Sequence, residues 1–425
     1  MIRRTLLAAL AVITLCAPRA LAARSEKGIE NRIIVAFKLG TPADEQRRIV
    51  EAQGLEVVDA IPSLAVLLVN APNGQAAKAR LSLQSNPKVF RADADVWRKW
   101  IETAPASVNS APFAIEPAVA AMKALAAQAR AVAEAAVPEK MAEEIPWGIT
   151  RVNAPAAWGT NQGAGVKVAV IDTGIDDKHP DLKVLGGLNA LDANASWADD
   201  HSHGTHCAGS IAATMNDKMV VGVAPKAELY AVKVLTKEGS GDMFGIMKGI
   251  MWTAQNGMQV ASMSLGAPQA MPLIQYALQM AVNGGVTIVA AAGNDGKAVN
   301  WPGAYPEAIA VSALCPPGVT NAKLCPNTNE GISTFSSRGP EIAFIAPGVL
   351  VNSTVPLFAD ASGMKAYSGT SMACPHVSGL AALAIAKGAK TPAAVRSALA
   401  AAATKLTGLS GDEQGNGLID AAKLR

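Results

Sequence analysis

The sequence predicts an α/β protein: a doubly wound parallel sheet with helices on both faces, preceded by a small α+β unit of the ferredoxin-like kind. Three observations carry this. Beyond residue 146, short and almost continuously apolar segments alternate with helical ones, the pattern of parallel strands covered on both sides. Before residue 100 the order reads β-α-β-β-α-β. Between the two units lies an Ala-rich stretch broken by Pro105, Pro112, Pro117 and Pro138. With 425 residues, 50% of them hydrophobic, the chain is long enough for two or three domains.

Residues 1–23 read as an export signal. Arg3 and Arg4 precede an apolar stretch over 6–17, and Ala20-Leu21-Ala22 supplies a small-residue cleavage site. Leu15 stands before Cys16 where a lipoprotein signal needs a small residue, so no membrane anchor is expected. Residues 24–100 form the small unit, with strands over 33–37, 57–61, 65–69 and 88–96 and helices over 42–52 and 75–83. Residues 101–141 form a linker in which Val119, Met122, Leu125, Ala129 and Val132 recur at helical spacing. So Ala-rich a stripe buries little. Residues 142–425 form the large unit, with buried strands over 166–171, 229–234, 261–264, 286–291 and 308–313.

A net charge of +3 with no basic cluster excludes a nucleic-acid or acidic-lipid partner, either of which calls for a basic face. Cys315 and Cys325 bracket a short loop containing Pro316, Pro317 and Gly318, which suits a disulfide in an oxidising compartment. Cys207 and Cys374 lie in other motifs and read as free thiols.

Parallel sheets place ligand chemistry at the carboxyl ends of their strands. There the sequence sets Asp172, in Val170-Ile171-Asp172-Thr173-Gly174. Next comes Ser202-His203-Gly204-Thr205-His206-Cys207-Ala208-Gly209, which holds two of the chain's five histidines. Their spacing of three, with no Glu between, does not match a zinc helix, so one His as a general base is the better account. Ser368-Gly369-Thr370-Ser371-Met372 then opens an apolar helix. A serine there is often only a cap, yet the helix N-terminus also suits a nucleophile whose substrate develops an oxyanion. Ala290-Ala291-Ala292-Gly293-Asn294, ending another strand, offers the Asn294 amide as a further donor.

The order Asp, His, Ser is one of the known arrangements of the Ser-His-Asp triad. On these motifs the chain resembles the subtilisin-like serine proteases, the subtilases, from residue 146 to the C-terminus, and the small unit is similar to the inhibitory propeptide of that family. The resemblance implies a secreted serine endopeptidase, extracellular or periplasmic, made as a self-processing zymogen and acting as a monomer on protein and peptide substrates. Asp172 would orient the imidazole, His203 would be the base, Ser371 the nucleophile and Asn294 the oxyanion donor, with His206 a bystander. Gly239, Ser240 and Gly241 on one side and Ser264, Leu265 and Gly266 on the other would clamp an extended peptide. Ala291, Ala292 and Gly293 would line the pocket before the scissile bond, and Met243, Ile246 and Leu265 an apolar pocket upstream. The family's calcium site would fall on Asp181 and Asn216, with Glu143 where the family often has Gln.

Overall fold

The computed structural model of this chain describes residues 29–101 and 143–424. The expected export signal, and all of the expected linker except its first residue, lie outside the described residues. No helix among the described residues is long and apolar enough to cross a membrane.

In the small unit, β1 (Arg32–Phe37), β2 (Glu56–Ile61), β3 (Val66–Asn70) and β4 (Val89–Ala94) form one sheet in the order β2-β3-β1-β4. Helices Ala43–Glu51 and Ala76–Gln84 complete the plait. Side chains alternate across a strand, and here both faces are covered. Ile33, Val35 and Phe37 join Val50 and Leu83 in the unit's own core. Ile34 and Ala36, with Val66 and Leu68, join a cluster containing Ile246, Ile250 and Leu278 of the large unit. That second covered face explains why β1 from Ile33 to Phe37 and β3 from Val66 to Val69 are apolar at consecutive positions rather than at alternate ones.

Among the described residues the large unit carries a ten-stranded sheet whose body is seven parallel strands of four residues or more. They are β6 (Lys167–Asp172), β7 (Val184–Asn189), β8 (Glu228–Lys233), β10 (Val260–Met263), β11 (Thr287–Ala291), β12 (Ala308–Cys315) and β14 (Ile342–Pro347), in the spatial order β14-β12-β11-β10-β6-β8-β7. A two-residue strand, β13 (Gly331–Ile332), pairs antiparallel with the end of β12. The alternation along β6 divides the layers: Val168 and Val170 face helices His203–Ala212 and Thr370–Ala386, whereas Ala169 and Ile171 face helices Met243–Gln255 and Pro272–Asn283. Helix Thr370–Ala386 is buried on every side, as its run of Ala, Gly, Ser and Leu allows.

Two further short strands join the units. β5 (Trp97–Lys99) runs antiparallel to β9 (Ser240–Asp242), with Arg98 opposite Gly241. The small unit also meets the otherwise unsatisfied N–H groups of helix Met243–Gln255. Val96 O accepts from Met243 N and Asp95 Oδ1 from Phe244 N, both at 3.1 Å. Lys248 and Asp59 close the same face as an ion pair at 2.9 Å.

Candidate active site

Asp172 ends β6 at zero exposure, and both its carboxylate oxygens face His203 Nδ1, at 2.8 and 3.0 Å. His203 is the first residue of its helix, and the strand end and helix start meet through glycine. A Cβ on Gly204 would stand 2.1 Å from Gly174 O, and one on Gly174 2.2 Å from Trp197 O. Gly174 also has φ +107°, a region that side chains rarely enter. Burial pulls the His203 imidazole down, but the Asp172 charge and the Cys207 sulfur, with their hydrogen bonds, hold it well above its ordinary value. Its Nε2 is buried and has no hydrogen-bond partner among the described residues. An imidazole fixed at Nδ1 by a carboxylate, with Nε2 unbonded, is arranged to take a proton.

Ser371 stands in the first turn of helix Thr370–Ala386, 6% exposed. Its hydroxyl donates to Ser264 O at 3.2 Å and is not bonded to His203 in this state. Pro375 lies four residues on and has no N–H for the Ser371 carbonyl. That carbonyl instead accepts from Ser264 Oγ at 2.8 Å and from the Cys207 thiol at 3.4 Å. The proline thus ties the serine to the β10 end and to the histidine helix. Asn294 Oδ1 accepts from Thr370 N and Thr370 Oγ1, at 2.8 and 2.9 Å. These bonds fix the amide's orientation and make its NH₂ the donor end, beside the helix N-terminus. A Cβ on Gly369 would stand 3.5 Å from that Asn294 nitrogen.

A pocket at Ser371 is lined by Trp100, Leu265, Gly266, Ala291, Gly293, Asn294 and Asn300, among others. Ala292, expected in its wall, is turned the other way. The chain is extended there, so alternate residues face opposite sides, and Ala292 packs with Val299, Ala310 and Ile342. Between the two expected cleft strands lies the chain itself. Trp100 N donates to Gly239 O and Gly266 N donates to Trp100 O, both at 2.9 Å. Met243, Ile246 and Leu265 share one apolar cluster with Trp100 and Ile101.

Asp181, Asn216 and Glu143 come together away from the cleft. Glu143 Oε1 accepts from Asn216 N at 2.7 Å, and Asp181 Oδ2 from Val220 N at 3.0 Å. Asp181 Oδ1 and Asn216 Oδ1 are buried with no hydrogen bond to another described residue. Burial pushes the Asp181 carboxyl up to about 6, against the Val220 hydrogen bond and the neighbouring Asn216 side chain that pull it down. Two oxygens without donors beside a second carboxylate suit a hard cation. Cys315 and Cys325 are joined as a disulfide, and Cys207 and Cys374 are buried thiols. His206 Nε2 meets the Val351 and Lys365 carbonyls at 3.0 Å, and burial lowers its pKa to about 3, which holds it neutral.

Sequence reasoning missed Asp199 and Trp100. The Asp199 carboxylate accepts from Thr173 Oγ1, from the N–H groups of His201, Ser202 and Thr205, and from Thr205 Oγ1, at 2.6–3.0 Å. It thereby sets the turn that delivers His203. The one sequence signal was its place four residues before the His, in a run of two aspartates.

The profile of the Subtilase family matches residues 163–417, and that of the Fervidolysin N-terminal prodomain matches residues 17–93. M-protease of Shouchella clausii (strain KSM-K16) is 45% identical over 245 residues, 57% of this chain and 60% of that one. Subtilisin E of Bacillus subtilis (strain 168) is 42% identical over 283 residues, 65% of this chain and 70% of that one. Subtilisin Savinase of Lederbergia lenta is 45% identical over 244 residues, 57% and 84%. The match thus spans less than two thirds of M-protease. With a family match over more than half of its residues, ahead of which stands a matched prodomain, the chain belongs to the subtilase family.

Proposed function

We propose that this chain is a secreted serine endopeptidase that cleaves protein and peptide substrates through an acyl-enzyme and is made as a self-processing zymogen. The observation that carries it is the pair formed by His203 and Asp172: a buried carboxylate on Nδ1, and an Nε2 with no hydrogen-bond partner among the described residues, on a helix whose Cys207 thiol donates to the Ser371 carbonyl. In this reading the Ser371 hydroxyl leaves Ser264 O and bonds to that nitrogen. Ser371 then attacks the scissile carbonyl while His203 takes its proton, and Asp172 stabilises the imidazolium. The developing oxyanion is met by the Asn294 NH₂ and by the Ser371 N–H in the first helical turn. His203 returns the proton to the leaving amine, and water releases the acyl group by the same steps in reverse.

Binding of substrate as an added strand is supported by the chain's own residues 97–101, which hydrogen-bond to both sides of the cleft. The small unit is therefore the intramolecular inhibitor. The apolar cluster of Met243, Ile246 and Leu265 supports an apolar preference upstream of the cut. A structural calcium would be held by Asp181 and Asn216 with Glu143, where it would relieve the buried carboxylate and give both unpartnered oxygens a ligand. Export rests on the Arg3 to Ala22 pattern, and a monomer is the proposed state. The test is labelling with a serine-reactive phosphonate, followed by peptide mapping. Modification at Ser371 with loss of caseinolysis supports the reading, and an unlabelled Ser371 in processed protein contradicts it.

A further inference from the structure

Trp100 makes three hydrogen bonds in the cleft at once. Its N–H reaches Gly239 O, its carbonyl takes the Gly266 N–H, and its indole Nε1–H donates to Gly241 O, each at 2.9 Å. It is 1% exposed, among the largest fully buried side chains of the chain. The Arg98 guanidinium lies over the ring, 5.7 Å from its centre, and is itself held by Gln269 Oε1 at 2.9 Å. Any residue could make the two backbone bonds. The indole places a donor at the Gly241 carbonyl while filling the apolar space, which Phe and Leu, having no donor, cannot do. Nor can that carbonyl readily turn away. A Cβ on Gly241 would stand 2.4 Å from Val234 O, so its backbone is pressed against the neighbouring segment.

We propose that the cleft contains an indole-selecting subsite, in which Gly241 O receives the N–H of a tryptophan placed where Trp100 sits, so that Trp-bearing peptides bind in preference to others of equal size. This rests on the reading that the cleft holds peptides as an added strand. A ligand without the donor keeps the ladder bond of its own backbone to Gly241 O, where Arg98 pairs, but leaves the second lone pair of that buried carbonyl without a donor. The loss should be about tenfold in affinity, and greater for a side chain that also leaves the space empty.

The experiment uses processed enzyme and the amidated peptide acetyl-Trp-Arg-Lys-Trp-Ile, which copies residues 97–101. Its fourth position is replaced in turn by Phe, by Ala and by benzothienylalanine, which has the shape of Trp but sulfur in place of the N–H. Inhibition constants are measured against a chromogenic substrate, with casein hydrolysis followed alongside. The expected result is competitive inhibition weakened about tenfold by the sulfur isostere and by Phe, and more by Ala. Equal inhibition by Trp and its isostere, with casein cleaved normally, overturns the indole subsite and leaves the protease reading intact. Failure to cleave casein overturns the protease reading and the subsite with it.

Discussion

Without a divalent cation, raising the pH from about 4 to about 7.5 should destabilise the fold through Asp181. Burial raises this carboxyl from 3.8 to about 6, outweighing the Val220 hydrogen bond and the neighbouring Asn216 side chain. The fold therefore prefers the protonated form. Its contribution is fully present below the unfolded value and is lost as the pH rises through the folded one. A shift of this size corresponds to at most about 3 kcal/mol, less after solvent screening, or a few degrees of melting temperature (roughly 2–6 °C) for a domain this large. The assay is thermal unfolding of metal-stripped Ser371→Ala precursor, which lacks the nucleophile for autolysis, beside the same protein carrying Asp181→Asn. Their difference separates Asp181 from every other titrating group. At the upper pH, calcium at 100 times its Kd should restore about 2.7 kcal/mol to the first protein and much less to the second. A difference that does not change with pH, in proteins that calcium leaves unmoved, would refute the reasoning.

Three further outcomes are expected. Asn294→Leu should fold and keep its KM while kcat falls ~10²–10³, the loss seen when such a donor is removed from a subtilisin; a change confined to KM would reassign Asn294 to substrate binding. The His203 imidazole is held above its ordinary 6.5, so imidazolium persists to higher pH and kcat/KM should rise through an ionisation above that value; a midpoint below 6.5 contradicts the account. Cys207 lies 4.0 Å from His203 Nδ1 at zero exposure, and burial raises its thiol pKa. Inactivation by p-chloromercuribenzoate should therefore be slow and absent from Cys207→Ser, whereas equal inhibition of both would move the effect elsewhere.

Much of the architecture was legible because it depends on patterns local in sequence. Buried parallel strands are short apolar runs, and the Asp, His and Ser motifs each sit at a strand end or helix start with their glycines beside them. What stayed hidden depends on contacts between distant segments. That β1 buries both faces follows from helix Met243–Gln255 packing against it, which no periodicity within residues 32–37 reveals. Ala292 was expected in the pocket with its neighbours, yet the alternation of an extended chain turns it inward. The roles of Asp199 and Pro375 likewise depend on residues distant from them or on the helix around them. Only the fold shows that one organises the loop before His203 and the other releases the Ser371 carbonyl to Ser264.

The central claim is that Ser371 is the nucleophile for both peptide hydrolysis and self-processing. Expressing Ser371→Ala without other proteases and comparing it with wild type by mass and by caseinolysis tests it most directly. The account predicts a chain that keeps residues 29–101 joined to the large unit, with hydrolysis reduced ~10⁶, as in a subtilisin stripped of its serine. Separation of the small unit in Ser371→Ala, or retained caseinolysis, would contradict it.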